Sequence, residues 1–407
     1  MDDITIRSIE PDELEAFLQV VERAFHGRWV PEDAEPDRII AEPDRWFVAM
    51  DGDEIVGTAG ACTTRLTVPG GSLPAPGVTA VGVLPSHRRR GINTRMMAAI
   101  LDQAAERGEP LVYLWASETP IYGRFGYGMA SLCTLIEMAA DRSAFVPGVR
   151  IGGRVRVLPR DEALPLMRPV YDEVASTRPG MIAVDDRWWK ALWIERKRDE
   201  EHPNFYAVHE RDDGTVDGYA VYRVKHEWTR NVPANELTVR DLITTDADAA
   251  AALWRFLFDV DLVATVKADD RPIDEELLWL VAEPRRLNAV IQDGLFVRVL
   301  DVERALSGRR YSGDGRLVLE IDDAFRPATS GRYELIVEAG AGSCERRADA
   351  EPDLSCGVTA LGAAYLGGSS FRQLGRAHQV EERTPGALAR ADAMFTWDPS
   401  PWFAFVY

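Results

Sequence analysis

Apolar and polar positions in the first part of the chain follow two periods in turn. Ile4 and Ile6 alternate with polar residues in ITIRSIE, as one face of a strand requires, and the polar PDE then opens LEAFLQVVERAF, apolar at helical spacing. RWFVAM, the turn DGDE and IVGTAGACTTRLTV read as a hairpin, and a second hairpin runs through VPGGSLPAPG into VTAVGVL. The basic turn SHRRRG leads into INTRMMAAILDQAAER, where Ile92, Met96, Met97, Ile100, Leu101 and Ala104 share one face and predict a helix packed on a sheet. LVYLWAS is apolar throughout, as a strand buried on both faces is.

A fainter copy of this order follows. VRVLPRDEALPLMRPVYDEV parallels IRSIEPDELEAFLQVVERAF, FYAVHERDDGTVDGYAVYRV parallels WFVAMDGDEIVGTAG, and ELTVRDLITTDADAAAALWRFLF repeats strand, turn and helix. Repetition at this scale predicts two related α/β units. They differ at one turn: HRRRGIN in the first copy becomes TTDADAA in the second, which has no glycine, no arginine and two added aspartates. Whatever the first turn binds, the second is expected not to bind. From about Gln292 the pattern changes to short strands, GLFVRVLD, RLVLEID and GRYELIVEAG, followed by GVTALGAAYLGG, LGRAHQVE and a helical ADAMF, which predicts a small α+β domain. The expected divisions are residues 1–145, 146–290 and 291–407.

Composition narrows the function classes. A chain of 407 residues exceeds what one core serves, in keeping with three parts. No apolar run approaches the ~18 residues of a membrane span, and MDDITIRSIEPDELE lacks the basic-then-apolar order of a signal peptide. A cytoplasmic protein without a membrane partner is expected. The net charge of −19 argues against nucleic acid, whose phosphates need a basic face. It suits cationic substrates, and it equally suits acidity that only keeps the protein soluble. Cys62, Cys133, Cys344 and Cys356 show no C-x-x-C pairing, and the six histidines form no H-E-x-x-H or H-x-x-x-H pattern. No metal and no disulfide framework are expected. YGRFGYG lacks the spacing and the strand-to-helix context of a dinucleotide loop, EAGAGS reads as a hairpin turn, and neither G-x-x-x-x-G-K-[ST] nor G-x-S-x-G occurs.

HRRRGIN lies between a strand and a helix. That placement aims the first N–H groups of the helix, and its positive dipole end, at one point where a phosphate binds. Gly91 permits close approach, and Arg88, Arg89 and Arg90 add positive charge. Arg88-x-x-Gly91-x-Asn93 resembles the acetyl-CoA pyrophosphate motif of the GNAT acetyltransferase superfamily, usually Q/R-x-x-G-x-G/A, with Asn93 where a small residue is usual. LTVPGG, VLPSHRRRG and SETPIYGRFGYG are similar to the Eis (enhanced intracellular survival) family of actinobacterial N-acetyltransferases, and the three-part layout extends that likeness along nearly the whole chain.

The resemblance implies tandem GNAT-like acetyltransferase domains, the first active and the second degenerate, then a sterol-carrier-protein-like α+β domain, assembled as a homo-hexamer. Acetyl-CoA would be the co-substrate. The acceptors would be primary amines of aminoglycoside-like polyamines, acetylated directly and at several positions, with protein lysines as the alternative and a non-enzymatic lipid carrier as the rival reading. Val81 and Val83 would offer backbone groups to the pantetheine and acetyl carbonyl, and Arg88, Arg89, Gly91, Ile92 and Asn93 would hold the pyrophosphate. Ser117 falls near the thioester, or equally caps the turn before E-T-P. Tyr122 matches the general acid that protonates the departing thiolate, and Tyr127 is assigned to packing. The base would be the α-carboxylate of Tyr407, acting directly or through water, its proton affinity raised by an apolar setting from Trp402, Phe403, Phe405 and Val406. Those residues read equally as a last strand completing the third domain. Phe25, Trp29 and Glu32, with Asp33 and Glu35 beside them, would form an acceptor wall, or a solvated connection, and His26 is a second candidate base.

Overall fold

The computed structural model describes residues 4–404. The six apolar residues read onto one helix face are all buried in Ile92–Glu106, and Phe17, Leu18, Val20 and Ala24 are buried in Leu14–Ala24. These helices cover the two faces of a seven-stranded sheet. Its order is Ile4–Ser8, Trp46–Asp51, Glu54–Cys62, Gly77–Val83, Leu111–Trp115, Leu295–Val299 and Gly128–Met129. A second seven-stranded sheet runs Arg154–Leu158, Phe205–Glu210, Val216–Lys225, Asn235–Thr244, Val263–Pro272, Leu132–Ala139 and Val290–Asp293. Arg160–Thr177 and Ala247–Phe258 pack on this sheet as the first unit's helices do on theirs.

The two sheets have exchanged a strand. Leu132–Ala139, read as part of the first unit, pairs antiparallel with Val263–Pro272 of the second. In return Leu295–Val299, read as the start of the third domain, pairs antiparallel with Leu111–Trp115 of the first. The strands therefore cross the divisions expected at 145 and 290. LFVRV is buried at every position, as an interior strand must be. Alternation and burial identify such a strand but carry no record of the sheet it joins. Arg298, fully buried within it, donates to Asp323 Oδ2 at 2.5 Å and to the carbonyl of Val299 at 3.0 Å, so the exchanged strand is locked onto the third domain.

That domain is a five-stranded sheet in the order Ala341–Arg346, Gly331–Glu338, Gly315–Asp322, Leu354–Gly357 and Val380–Glu382, packed by Val358–Tyr365 and Ala387–Phe395. Its core is continuous with that of the first unit, from Phe17, Trp46 and Val48 through Val297 and Val299 to Leu317 and Leu319. Residues 396–404 form no strand, and the rest of the last strand expected from the sequence, Phe405 and Val406, lies outside the described residues. Residues 396–404 run across the molecule instead. Trp402 Nε1 donates to the carbonyl of Asp270 at 2.6 Å beneath the guanidinium of Arg271, 5.1 Å from the ring centre. Phe403 then sits 5.6 Å from the ring of Tyr113 and 6.3 Å from that of Trp115. No described helix is long and apolar enough to cross a membrane.

Candidate active site

Gly77–Val83 and Leu111–Trp115 are parallel neighbours that pair only at Gly77–Tyr113 and Val78–Leu114. Beyond Val78 they part. The cause is local: the register against Glu54–Cys62 shifts between Thr58 and Gly60, and Ala80 adopts φ 53°, the left-handed region. Thr58 Oγ1 donates to the Ala80 carbonyl at 2.9 Å and holds the bulge. The main chain of Val81 and Val83 is thereby left without a strand partner on the parted side, at the wall of a cleft of about 500 Å³.

The helix Ile92–Glu106 opens at the mouth of this cleft. Gly91, its N-cap, has φ +75° and no side chain to cap the first turn, and that turn holds no acidic residue. A Cβ at Gly91 would meet nothing within 4 Å, so the glycine serves the backbone angle rather than the space. Arg88, Arg89, Gly91, Ile92 and Asn93 all line the cleft, as the sequence reading expected. Arg90 does not: it faces Asp51 at 3.3 Å, and His87 Nε2 approaches the same carboxylate at 3.2 Å. Arg124 was not anticipated. It stands over the ring of Phe125 at 4.8 Å and borders the cleft as a third cation beside Arg88 and Arg89. It lies within YGRFGYG, a stretch read for its glycines and tyrosines but not for its arginine. Asn93 Oδ1 is buried without a hydrogen-bond partner. Free helix-start amides, three arginines and an unsatisfied buried amide oxygen suit the phosphates and polar groups of a nucleotide thioester.

Tyr122 lies at the inner end, between the tight turns Thr119–Ile121 and Gly123–Phe125, and is 4% exposed. Burial raises its phenol above the ordinary tyrosine value, a hydrogen bond with Ser117 opposes the shift, and Glu118 adds to it. The group therefore holds its proton at neutral pH, as a general acid must. Tyr127 packs edge-on against it at 6.0 Å, and its hydroxyl reaches only Met97 Sδ at 3.4 Å, within the core.

Two smaller cavities continue the cleft. One of about 280 Å³ lies at the strand separation, lined by Phe25, Val81, Trp115, Ser117 and Tyr122. The next, about 230 Å³, shares Phe25, Thr79 and Ala80 with it and is walled by Trp29, Glu22, Asp33 and Asp37. Burial raises the Asp37 carboxyl, opposed by Arg196 and Arg198. Glu32 does not line this chamber; it is exposed and faces Lys197 at 3.4 Å. Glu35 turns to Arg38 at 3.8 Å, and His26 lines none of the three cavities. Sequence reading did not name Glu22 or Asp37, although it pointed to the first helix and the stretch after it; Glu22 lies on the helix Leu14–Ala24 and Asp37 on the short helix Glu35–Ile40 that ends that stretch. Tyr407, Phe405 and Val406 lie outside the described residues.

The second unit keeps the outline of this site and fills it. Asn235–Thr244 and Val263–Pro272 pair in parallel as far as Val239–Ala268. Past that point Arg271 crosses to the Leu242 carbonyl at 2.8 Å and to Glu275 at 2.8 Å. The helix Ala247–Phe258 is capped by Asp246, whose carboxylate accepts from the Asp248 N–H at 2.8 Å and takes the place of an external anion. Of the two helix starts, only the one at Gly91 is open to phosphate.

Residues 5–130 match the acetyltransferase (GNAT) domain family, residues 180–299 match a second acetyltransferase (GNAT) domain family, and residues 302–404 match the sterol carrier protein domain family. The chain is 41% identical to an uncharacterized N-acetyltransferase of Streptomyces avermitilis, with 98% of each chain covered. It is 32% identical to N-acetyltransferase Eis of Mycobacterium tuberculosis, over 99% of this chain and 100% of that one. The crystal structure of Eis1 from Mycobacterium abscessus superposes with a TM-score of 0.84 at 31% identity, covering 99% of this chain and 100% of the other. Two GNAT units of which one retains an open cleft, a sterol-carrier-type third domain and this full-length kinship lead to one conclusion: the chain belongs to the Eis family of GNAT N-acetyltransferases and is an acetyl-CoA-dependent acyltransferase.

Proposed function

We propose that the chain transfers the acetyl group of acetyl-CoA directly to primary amines of polyamines of the aminoglycoside type, at more than one position, with protein lysines as the alternative acceptors. The observation that carries this reading is the parting of Gly77–Val83 from Leu111–Trp115 beyond Val78, with an uncapped helix start at one end and Tyr122 at the other. Main-chain groups of Val81 and Val83 would orient the pantetheine and acyl carbonyl, while Arg88, Arg89, Arg124 and the amides at Ile92 and Asn93 would hold the diphosphate. The amine nitrogen attacks the carbonyl carbon, the carbon–sulfur bond breaks, and the departing thiolate takes the Tyr122 proton. The α-carboxylate of Tyr407 would take the amine proton. Supporting that role, Phe403 already stands against Trp115 in the wall of the strand separation. Charged side chains in the third domain's surface groove, Glu320, Arg332, Arg346 and Glu381 among them, favour an enzyme over a lipid carrier. Homo-hexameric assembly belongs to the same proposal.

The test is acetyl-CoA turnover across an amine panel, for the wild type and for a variant extended by a few residues after Tyr407. Transfer to polyamines that falls at least tenfold in the folded, extended variant supports the reading. Equal rates remove the terminal carboxylate from it, and no transfer to any amine removes the acceptor class.

A further inference from the structure

The chamber beyond Phe25 is acidic by its walls yet already faces cations. Arg196 and Arg198, on a loop of the second unit, line it together with Glu22, Asp33 and Asp37 of the first. Arg198 lies 3.7 Å from Glu22 and 3.4 Å from Asp33, and Arg196 lies 3.8 Å from Asp37. These separations exceed the ~2.7–2.9 Å of a charge-assisted hydrogen bond. The guanidiniums are therefore held by charge and not by directed bonds, and their side chains are 34% and 45% exposed. The loop's fixed points lie elsewhere: the Lys197 N–H donates to Asp33 Oδ1 at 2.5 Å, and Asp199 pairs with Arg223 at 2.8 Å. Such loose, half-solvated pairs are the ones a better-fitting cation exchanges with.

We propose that Arg196 and Arg198 determine acceptor specificity by standing in for two ammonium groups: a polyamine binds this chamber by displacing them from Glu22, Asp33 and Asp37, and a monoamine need not. The proposal rests on the transfer to polyamines proposed above and takes the chamber that continues the strand separation as the acceptor's; it adds a competing occupant that the chain supplies itself. It accounts for an acidic wall that is nearly neutral at rest. It also gives the second unit, whose own cleft is filled, a part in the first unit's chemistry.

The experiment is calorimetric titration of spermidine and of propylamine into the CoA-loaded full chain, which reads binding whether or not transfer occurs. Arg196→Gln/Arg198→Gln should tighten spermidine by roughly tenfold at low salt, because three weak, partly solvated ion pairs no longer compete for the carboxylates. The gain for propylamine should be under threefold, and the spermidine gain should shrink as ionic strength rises. Arg198→Gln alone should fall between. Arg285→Gln/Arg376→Gln, two exposed arginines that do not line the chamber, is the charge-matched control. Equal tightening in that control, equal gains for both amines, or unchanged spermidine binding would overturn the proposal. Failure of every amine to be acetylated while spermidine still tightens would leave it standing and remove only the transfer reading.

Discussion

Tyr122→Phe should lower the rate of acetyl transfer by roughly 10²–10⁴-fold, the range that general-acid assistance supplies, while acetyl-CoA affinity stays within about twofold. The hydroxyl is the one atom lost, and the ring keeps its place against Tyr127, 6.0 Å away. Burial is the largest influence on the phenol and raises it above its ordinary value of 10. The sign follows directly: the acid form is the active form, so a raised value preserves it. The wild-type rate should rise with pH as the amine loses its proton and fall again only above pH 10. In Tyr122→Phe that alkaline fall should disappear. A steady-state pH series on both proteins checks each part. A variant that keeps wild-type turnover, or that loses acetyl-CoA binding instead, would show that Tyr122 packs the cleft and does not protonate the thiolate.

Asp323→Ala should destabilise the chain by about 3–5 kcal/mol, because it leaves the Arg298 guanidinium buried without its counter-charge. The two side chains are 0% and 1% exposed, so solvent cannot replace the lost partner. In a domain stabilised by roughly 5–15 kcal/mol this is a large fraction. The effect should reach the cleft, since Leu295–Val299 is the antiparallel neighbour of Leu111–Trp115 and Trp115 walls the strand separation. Arg298→Met/Asp323→Leu, which removes both charges, should recover most of the loss. Denaturant unfolding followed by tryptophan fluorescence measures both variants. Equal destabilisation of the single and double variants would mean that packing and the bonds Asp323 accepts from the Phe325 and Arg326 N–H groups, and not the charge pair, hold the exchanged strand.

That strand also marks where sequence reading stops. Helical spacing in INTRMMAAILDQAAER identified a face whose six residues are all buried, and the glycine of HRRRG stands at the left-handed position the helix start requires. Both are local facts, set by residues within a few turns of one another. LFVRV lies in a segment read as a short strand of the third domain, yet the sheet it enters depends on pairing with residues far away in the chain, which no local period encodes. The chamber shows the same limit. Trp29 and Asp33 come from the stretch that the sequence singled out, but nothing in the sequence pointed to Arg196 and Arg198, and only the packing of the second unit brings them to Asp33 and Asp37. Glu32 is the converse case, a carboxylate in the right loop that faces Lys197 outside the chamber.

The two GNAT units differ chiefly at the start of one helix, open at Gly91 and capped by Asp246. Only the first is expected to hold acetyl-CoA. Calorimetric titration of acetyl-CoA into the full chain and into Gly91→Asp, which sets a carboxylate at the open helix start, tests it most directly. One equivalent per chain for the wild type, with affinity at least tenfold weaker in the variant, is the predicted result. Two equivalents per chain, or unchanged binding in folded Gly91→Asp, would contradict it.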